Sequence, residues 1–221
     1  MAEFKVVEIF ESINGEGMKS GELAVFIRFF GCNLRCTYCD TLYALEKDAP
    51  VTLMDEEEIY KRVKETGIKN VTITGGEPLI QKDIEVLFRR LLKDEELFLE
   101  IETNGSVEVS PYRINDRITF TLDYKLPGSG AFFAMEGKNF QNVNKNDTVK
   151  FVVSDLMDLD TAHQKMLEYK LIKNCNIILS PVFGSIEAET IVEYMKNKNL
   201  NDVRLQLQIH KFIWDPDKKG V

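Results

Sequence analysis

The chain has 221 residues, 44% of them hydrophobic, and a formal net charge of -8 at neutral pH. That length suits one large α/β domain or two small ones, and the apolar share is enough to bury a core. The acidic balance excludes an extended nucleic-acid footprint, which needs clustered Lys and Arg, and leaves small-molecule chemistry or a protein partner.

Met1-Ala2-Glu3-Phe4 lacks the basic start and apolar run of a signal peptide, and no stretch approaches the roughly 18 apolar residues of a membrane span. A cytoplasmic chain in a reducing compartment, away from membranes, is expected. Hydrophobic patterning predicts a strand over 4–10 and a second, almost wholly apolar, over 24–30. Thr52 reads as an N-cap, with Asp55 three residues on, of a helix running to about Thr66, where Gly67 stops it. A short β-branched strand over 70–74 and a helix over 82–92 follow. Strands are expected over 98–103, 118–123 and 148–153, a helix over 160–172, a strand over 176–180, a helix over 187–196 and a last strand over 203–207. The Gly- and Asn-rich stretch 126–146 reads as a loop or a short helix.

This alternation predicts an α/β fold with a mostly parallel sheet wrapped by helices. Sites in such folds lie at the carboxyl ends of the strands. Residues 32–41, Gly75-Gly76-Glu77-Pro78, Thr103-Asn104-Gly105, Lys125 and Ser180-Pro181 all fall there. Arg28 interrupts an apolar strand, and a charge there is costly unless paired. Its partner is either a ligand carboxylate held by two parallel hydrogen bonds or an internal acid such as Glu16 or Glu102.

Cys32, Cys36 and Cys39 are spaced C-x3-C-x2-C on a loop. Soft thiolates select iron-sulfur clusters or zinc. A structural zinc site wants four ligands, and His210 or Cys175 would have to complete it from far along the chain. Three thiolates instead leave one iron of a 4Fe-4S cube open to the amino and carboxylate groups of S-adenosylmethionine. Cys175 reads as a small buried hydrophobe.

The cysteine spacing, with Gly75-Gly76-Glu77-Pro78 after the next strand, resembles the radical S-adenosylmethionine superfamily. Within it, three further segments are similar to the 7-carboxy-7-deazaguanine synthase family. They are the opening Glu8-Ile9-Phe10-Glu11-Ser12-Ile13-Asn14-Gly15-Glu16-Gly17, the run Val25-Phe26-Ile27-Arg28 with the loop end Cys39-Asp40-Thr41, and the late segment Gln206-Leu207-Gln208-Ile209-His210-Lys211-Phe212-Ile213-Trp214. The resemblance spans nearly the whole chain. It implies one radical S-adenosylmethionine domain over 1–221, folded as an abbreviated partial (β/α) barrel, and commonly a homodimer. It implies conversion of 6-carboxy-5,6,7,8-tetrahydropterin to 7-carboxy-7-deazaguanine, a ring contraction with loss of ammonia early in queuosine and other deazapurine pathways. The implied cofactors are a 4Fe-4S cluster, S-adenosylmethionine and Mg2+, and the implied reductant is a flavodoxin or ferredoxin. An electron entering the cluster cleaves S-adenosylmethionine to a 5'-deoxyadenosyl radical, which takes a hydrogen from C6 of the pterin. The substrate radical rearranges, the hydrogen returns and ammonia leaves.

By the same resemblance Cys32, Cys36 and Cys39 hold the cluster. Tyr38, Cys39, Asp40, Gly76, Glu77, Asp123, Tyr124, Lys125, Ser180 and Phe183 contact S-adenosylmethionine. Ile13, Asn14, Gly15, Arg28, Thr74 and His210 contact the pterin. Thr41 is the Mg2+ ligand, reasonable only with substrate and water oxygens in the other octahedral positions. The tail from Gln208 closes near the substrate. The chain departs from the family at Asn14, where Gln is usual, and at Asp123-Tyr124, where Ser-Pro often precedes the lysine. Plainer roles stand beside these: Asn14-Gly15 as a simple turn, Thr41 bonding backbone, Asp123 capping the strand with Lys125, Phe183 and Trp214 as packing residues. Two other functions compete. One is an activase that makes a glycyl radical on a large partner, which needs a groove for a protein loop. The other is a non-enzymatic zinc-binding module.

Overall fold

The computed structural model describes residues 2–216 and 218–221. Strands β1 (Glu3–Ile13) and β2 (Leu23–Phe29) pair antiparallel, and β3 (Thr52–Asp55) adds to the outer edge of β1. From β2 the sheet continues in parallel through β4 (Asn70–Gly75), β5 (Phe98–Thr103), β6 (Ile118–Tyr124), β7 (Thr148–Val153), β8 (Asn176–Pro181) and β9 (Val203–Leu205). Among the described residues the sheet has nine strands, and β9 does not pair back to β3, so the barrel is open. The expected mostly parallel α/β sheet is therefore present.

Helices α1 (Glu56–Thr66), α2 (Ile84–Leu92), α3 (Gly137–Gln141), α4 (Leu156–Glu168), α5 (Leu171–Asn174), α6 (Ala188–Asn197) and α7 (His210–Ile213) complete the order. Strand alternation decides the two faces of the sheet. Val71, Ile73, Leu99, Ile101, Phe120, Leu122, Val149 and Phe151 join Ile59, Leu87, Phe88, Leu91, Leu159 and Met166 of the helices in one apolar core. The intervening residues, Thr72, Thr74, Glu100, Glu102, Thr121, Asp123 and Lys150, stand on the other face. Four central strands thus carry a polar inner lining, whereas β2 is apolar apart from Arg28.

Several boundaries differ from expectation for local reasons. Thr52 is not a helix cap. It pairs with Val6 in β3, and Asp55 caps α1 instead. The Asp55 carboxylate accepts from the backbone N–H groups of Glu57 and Glu58, while Glu58 returns a bond to the Asp55 N–H. This reciprocal pair satisfies the orphan donors of the first turn. Gly67 ends α1 at φ 69°, as read from the sequence. The helix expected over 160–172 begins earlier, because the Asp155 side chain caps the Asp158 N–H, and it breaks at Lys170, where φ is 55°. The 126–146 stretch folds as two short 3-10 turns followed by α3. Cys175 is only partly buried; it sits just before β8, at the end of the sheet remote from the cysteine loop.

Candidate functional site

A cavity of about 700 Å³ opens at the carboxyl ends of the parallel strands, a volume ordinary for small-ligand sites. The loop after β2 forms one wall and brings Cys32, Cys36, Tyr38, Cys39, Asp40 and Thr41 to it. This loop is pinned from both sides. Thr37 donates its N–H to Ser129 O (3.0 Å) and its hydroxyl to Gly128 O (2.7 Å). The Cys32 sulfur accepts from Leu34 N–H (3.3 Å) and from the Asn104 amide (3.5 Å). Such N–H donors to sulfur favour a thiolate that ligates a cluster. Among the described residues no three His, Cys, Asp or Glu side chains are grouped to hold one metal ion. Cluster thiolates each bind a different iron, so they need not converge on one point. The four-ligand zinc alternative also loses Cys175, which lies at the far end of β8.

The glycine pair after β4 is required by close backbone approach. A Cβ on Gly76 would lie 2.0 Å from Gly31 O, so only glycine lets the β4 end meet the start of the cysteine loop. Glu77 N–H then donates to Gly31 O (2.9 Å).

The inner strand faces supply a charged floor. Glu16 accepts from Lys150 (3.3 Å), Ser180 Oγ (3.3 Å) and the Gln208 amide (3.3 Å). Asp123 accepts from Lys125 Nζ (2.7 Å) and faces Lys150 at 3.9 Å. Burial opposes the charge on Glu16, but Lys150 and the Gln208 hydrogen bond hold its carboxyl below the ordinary 4.5. Burial likewise opposes the Lys150 ammonium, and Glu16, Asp123 and Glu102 outweigh it and push its pKa up. The second carboxylate oxygen of Asp123 and the Tyr38 hydroxyl are buried with no hydrogen-bond partner among the described residues. Both stand beside the cavity and are available to a bound group.

Ile13, Gly15, Arg28, Thr74, Gly76, Asp123, Lys125, Phe183 and His210 line this cavity with the cysteine loop. Gly15 has no room for a side chain: a Cβ there would meet His210 Nδ1 at 2.3 Å. Burial lowers the pKa of His210, favouring the neutral imidazole.

Four of the expected contact residues do not line the cavity. Asn14 is buried, and its Oδ1 accepts from Thr72 Oγ1 at 2.8 Å. Glu77 is fully buried and accepts from Leu79 N–H, Thr103 Oγ1 and Asn104 N–H, so it locks two loops together. Tyr124 follows Asp123 on β6 and therefore points to the opposite face, against Phe140 and Phe151. Ser180 reaches the site only through Glu16. The sequence reading did not assign site roles to Glu16, Glu102, Lys150 or Gln208. The signal was present at Lys150, a lysine at an inward position of an apolar strand. Arg28 is paired with neither Glu16 nor Glu102: its Nε donates to Glu8 Oε1 at 2.7 Å.

Below the cavity, Glu100 accepts from Thr121 Oγ1 at 2.8 Å, while its other oxygen has no hydrogen-bond partner among the described residues. Burial, then the neighbouring Glu102, push its carboxyl up to about 7. The folded chain keeps a proton there that the unfolded chain releases above the ordinary 4.5. Stability therefore falls as pH rises from that value, and the cost is complete above about 7. Glu100→Gln is expected to gain on the order of 3 kcal/mol at about pH 8 and almost nothing at about pH 4. Anaerobic urea unfolding at both pH values checks this; equal gains would mean that the carboxyl does not titrate so.

An open parallel barrel bearing three thiols on the loop after its first parallel strand is the arrangement of the radical S-adenosylmethionine enzymes, and the sequence profile of the Radical SAM superfamily matches residues 26–123. The chain is 56% identical to a 7-carboxy-7-deazaguanine synthase of Clostridium acetobutylicum over 99% of both sequences. It is 37% identical to one of Chlorobaculum tepidum, over 100% of this chain and 98% of that relative. The crystal structure of QueE from Escherichia coli has the same fold, with a TM-score of 0.76, 24% identity and 93% of each chain covered. The chain belongs to the 7-carboxy-7-deazaguanine synthase family. A 4Fe-4S cluster and S-adenosylmethionine are its cofactors. Among the described residues no helix is long and apolar enough to cross a membrane.

Proposed function

We propose that this protein is a lyase that converts 6-carboxy-5,6,7,8-tetrahydropterin to 7-carboxy-7-deazaguanine with loss of ammonia, in queuosine and related deazapurine biosynthesis. One observation carries the reading at the site: a single cavity holds three thiols on one wall, a guanidinium on another, and a ring of paired acids and lysines between them. When bound, the cluster and S-adenosylmethionine supply hydrogen-atom abstraction, which closed-shell side chains do not perform.

The chain's own residues hold and orient. Cys32, Cys36 and Cys39 are the cluster ligands in this reading. The backbone at Gly76, the free oxygen of Asp123, and Tyr38, Asp40, Lys125 and Phe183 are placed to meet S-adenosylmethionine. Arg28 takes the substrate carboxylate. Ile13, Gly15, Thr74 and neutral His210 meet the pterin ring, while Glu16 and Glu102 present carboxylates to an edge rich in N–H donors. A Mg2+ would sit at Thr41 beside Asp40, with substrate and water oxygens completing its shell. A single domain, a homodimer and reduction by a flavodoxin or ferredoxin follow from the family resemblance. A cytoplasmic location belongs to the same reading.

The test is direct. Anaerobically reconstituted, chemically reduced protein is incubated with S-adenosylmethionine and the carboxytetrahydropterin, and deazaguanine and ammonia are measured. Formation of both in equal amounts is expected. Cleavage of S-adenosylmethionine without either product would point to a different substrate.

A further inference from the structure

We propose that Glu8 is a positioning residue for substrate recognition, built by a β-bulge to aim the Arg28 fork into the cavity. This rests on the reading of Arg28 as the carboxylate partner.

The bulge lies at Val7. Val6 pairs with Phe29, but Glu8, two residues on, pairs with Arg28, only one residue back along β2. Residues directly opposite in a sheet share a face. Before the bulge, Phe4 and Val6 therefore stand on the helix-covered face with Phe29. After it, Glu8 and Phe10 stand on the inner face, opposite Arg28 and Phe26, and the Phe10 and Phe26 rings stack at 5.0 Å. Without the extra residue Glu8 would point into the apolar core, and Arg28 would face the cavity alone. Bulges of this kind re-aim side chains beside sites.

Glu8 Oε1 accepts from two groups at once. Arg28 Nε donates at 2.7 Å and the Tyr43 hydroxyl at 2.6 Å. Arg28 and Tyr43 line the cavity, whereas Glu8 does not. Tyr43 stands on the short turn that begins after Thr41. Glu8 thus fixes Arg28 to the turn behind the cysteine loop. A guanidinium offers two bidentate edges, and the one that includes Nε is occupied. Among the described residues no hydrogen bond engages the two terminal nitrogens. That free end-on edge is the one left for a carboxylate. The rings of Phe10 and Tyr43, 5.9 and 6.0 Å from the guanidinium carbon, limit its swing.

The experiment measures binding by calorimetry to the cluster- and S-adenosylmethionine-loaded protein without reductant, so that no turnover occurs. The ligands are the 6-carboxy pterin and its 6-carboxamide. Glu8→Ala is expected to weaken the carboxylate by roughly 10- to 100-fold and the carboxamide far less, so that discrimination collapses. Glu8→Gln keeps an acceptor for both donors and should retain most of the discrimination. Under reducing conditions, kcat at saturating substrate should change less than KM. Adding Glu8→Ala to Arg28→Ala should cost little more, because one acts through the other. Unaltered discrimination in Glu8→Ala, or equal weakening of both ligands, overturns the proposal. If Arg28→Ala itself retains discrimination, the reading of Arg28 fails instead. Should Glu8→Ala not fold, Glu8→Asp, whose shorter side chain withdraws the acceptor, carries the same test with the same two outcomes.

Discussion

Cys36→Ala is expected to remove the cluster and abolish both product formation and S-adenosylmethionine cleavage. In the proposed reading each of the three loop thiols holds one iron, and the fourth thiol, Cys175, lies at the remote end of the sheet. Cys32→Ala and Cys39→Ala should behave alike. Cys175→Ala should retain roughly four irons per chain and the brown colour of the cluster. That residue donates to Leu171 O before β8, and burial, reinforced by Asp147, pushes its thiol up to about 12, so it stays protonated and inert. Iron content and visible absorbance after anaerobic reconstitution decide the matter. A cluster lost with Cys175, or kept without Cys36, would show that the ligand set is different.

Arg28→Ala should have the second largest effect. The substitution removes a guanidinium 14% exposed between two aromatic rings, leaving Glu8 and, in the proposed reading, the substrate carboxylate unpaired. Truncating a buried charge pair typically costs about 2 to 5 kcal/mol, which is a fall of roughly 30- to several-thousand-fold in kcat/KM. Uncoupled cleavage of S-adenosylmethionine should continue, since the thiols stand on another wall. Arg28→Lys should fall between, because an ammonium lacks the planar fork. Both products are to be measured from one folded sample, with its melting curve beside the wild type's. Normal deazaguanine formation by Arg28→Ala would place the carboxylate elsewhere in the cavity.

The succession of parallel strands and the rim of loops after them were readable because β-branched runs are followed again and again by turn glycines and odd polar residues, whereas the edge strand β3 and the antiparallel β1–β2 pair were not. The errors have a common origin in partners that are distant along the chain. Thr52 looks like a cap until the edge of β1 offers it a pairing partner. Glu77 looks like a ligand contact, but Leu79 of its own turn and Thr103 and Asn104 of one other loop supply its carboxylate with three donors. Tyr124 sits beside a site residue in sequence and on the opposite face in space, a consequence of alternation that could have been applied to β6 beforehand. The same rule singles out Lys150 and Glu102 as inward. The Glu8–Arg28 pair was beyond reach, because one inserted residue at Val7 reverses the facing of everything after it in β1.

Gln206 donates its amide to Gly17 O at 2.9 Å and accepts from Gly17 N–H at 2.7 Å, across 189 positions of chain. Glu16, next to that clasp, takes its partners from residues 150, 180 and 208. During synthesis the first strands emerge early, yet Glu16 then has none of these partners. Its set of partners is complete only once the segment carrying Gln208 has been made. Such long-range closure is slow to form, so the charged floor of the cavity is among the last parts of the molecule to be completed.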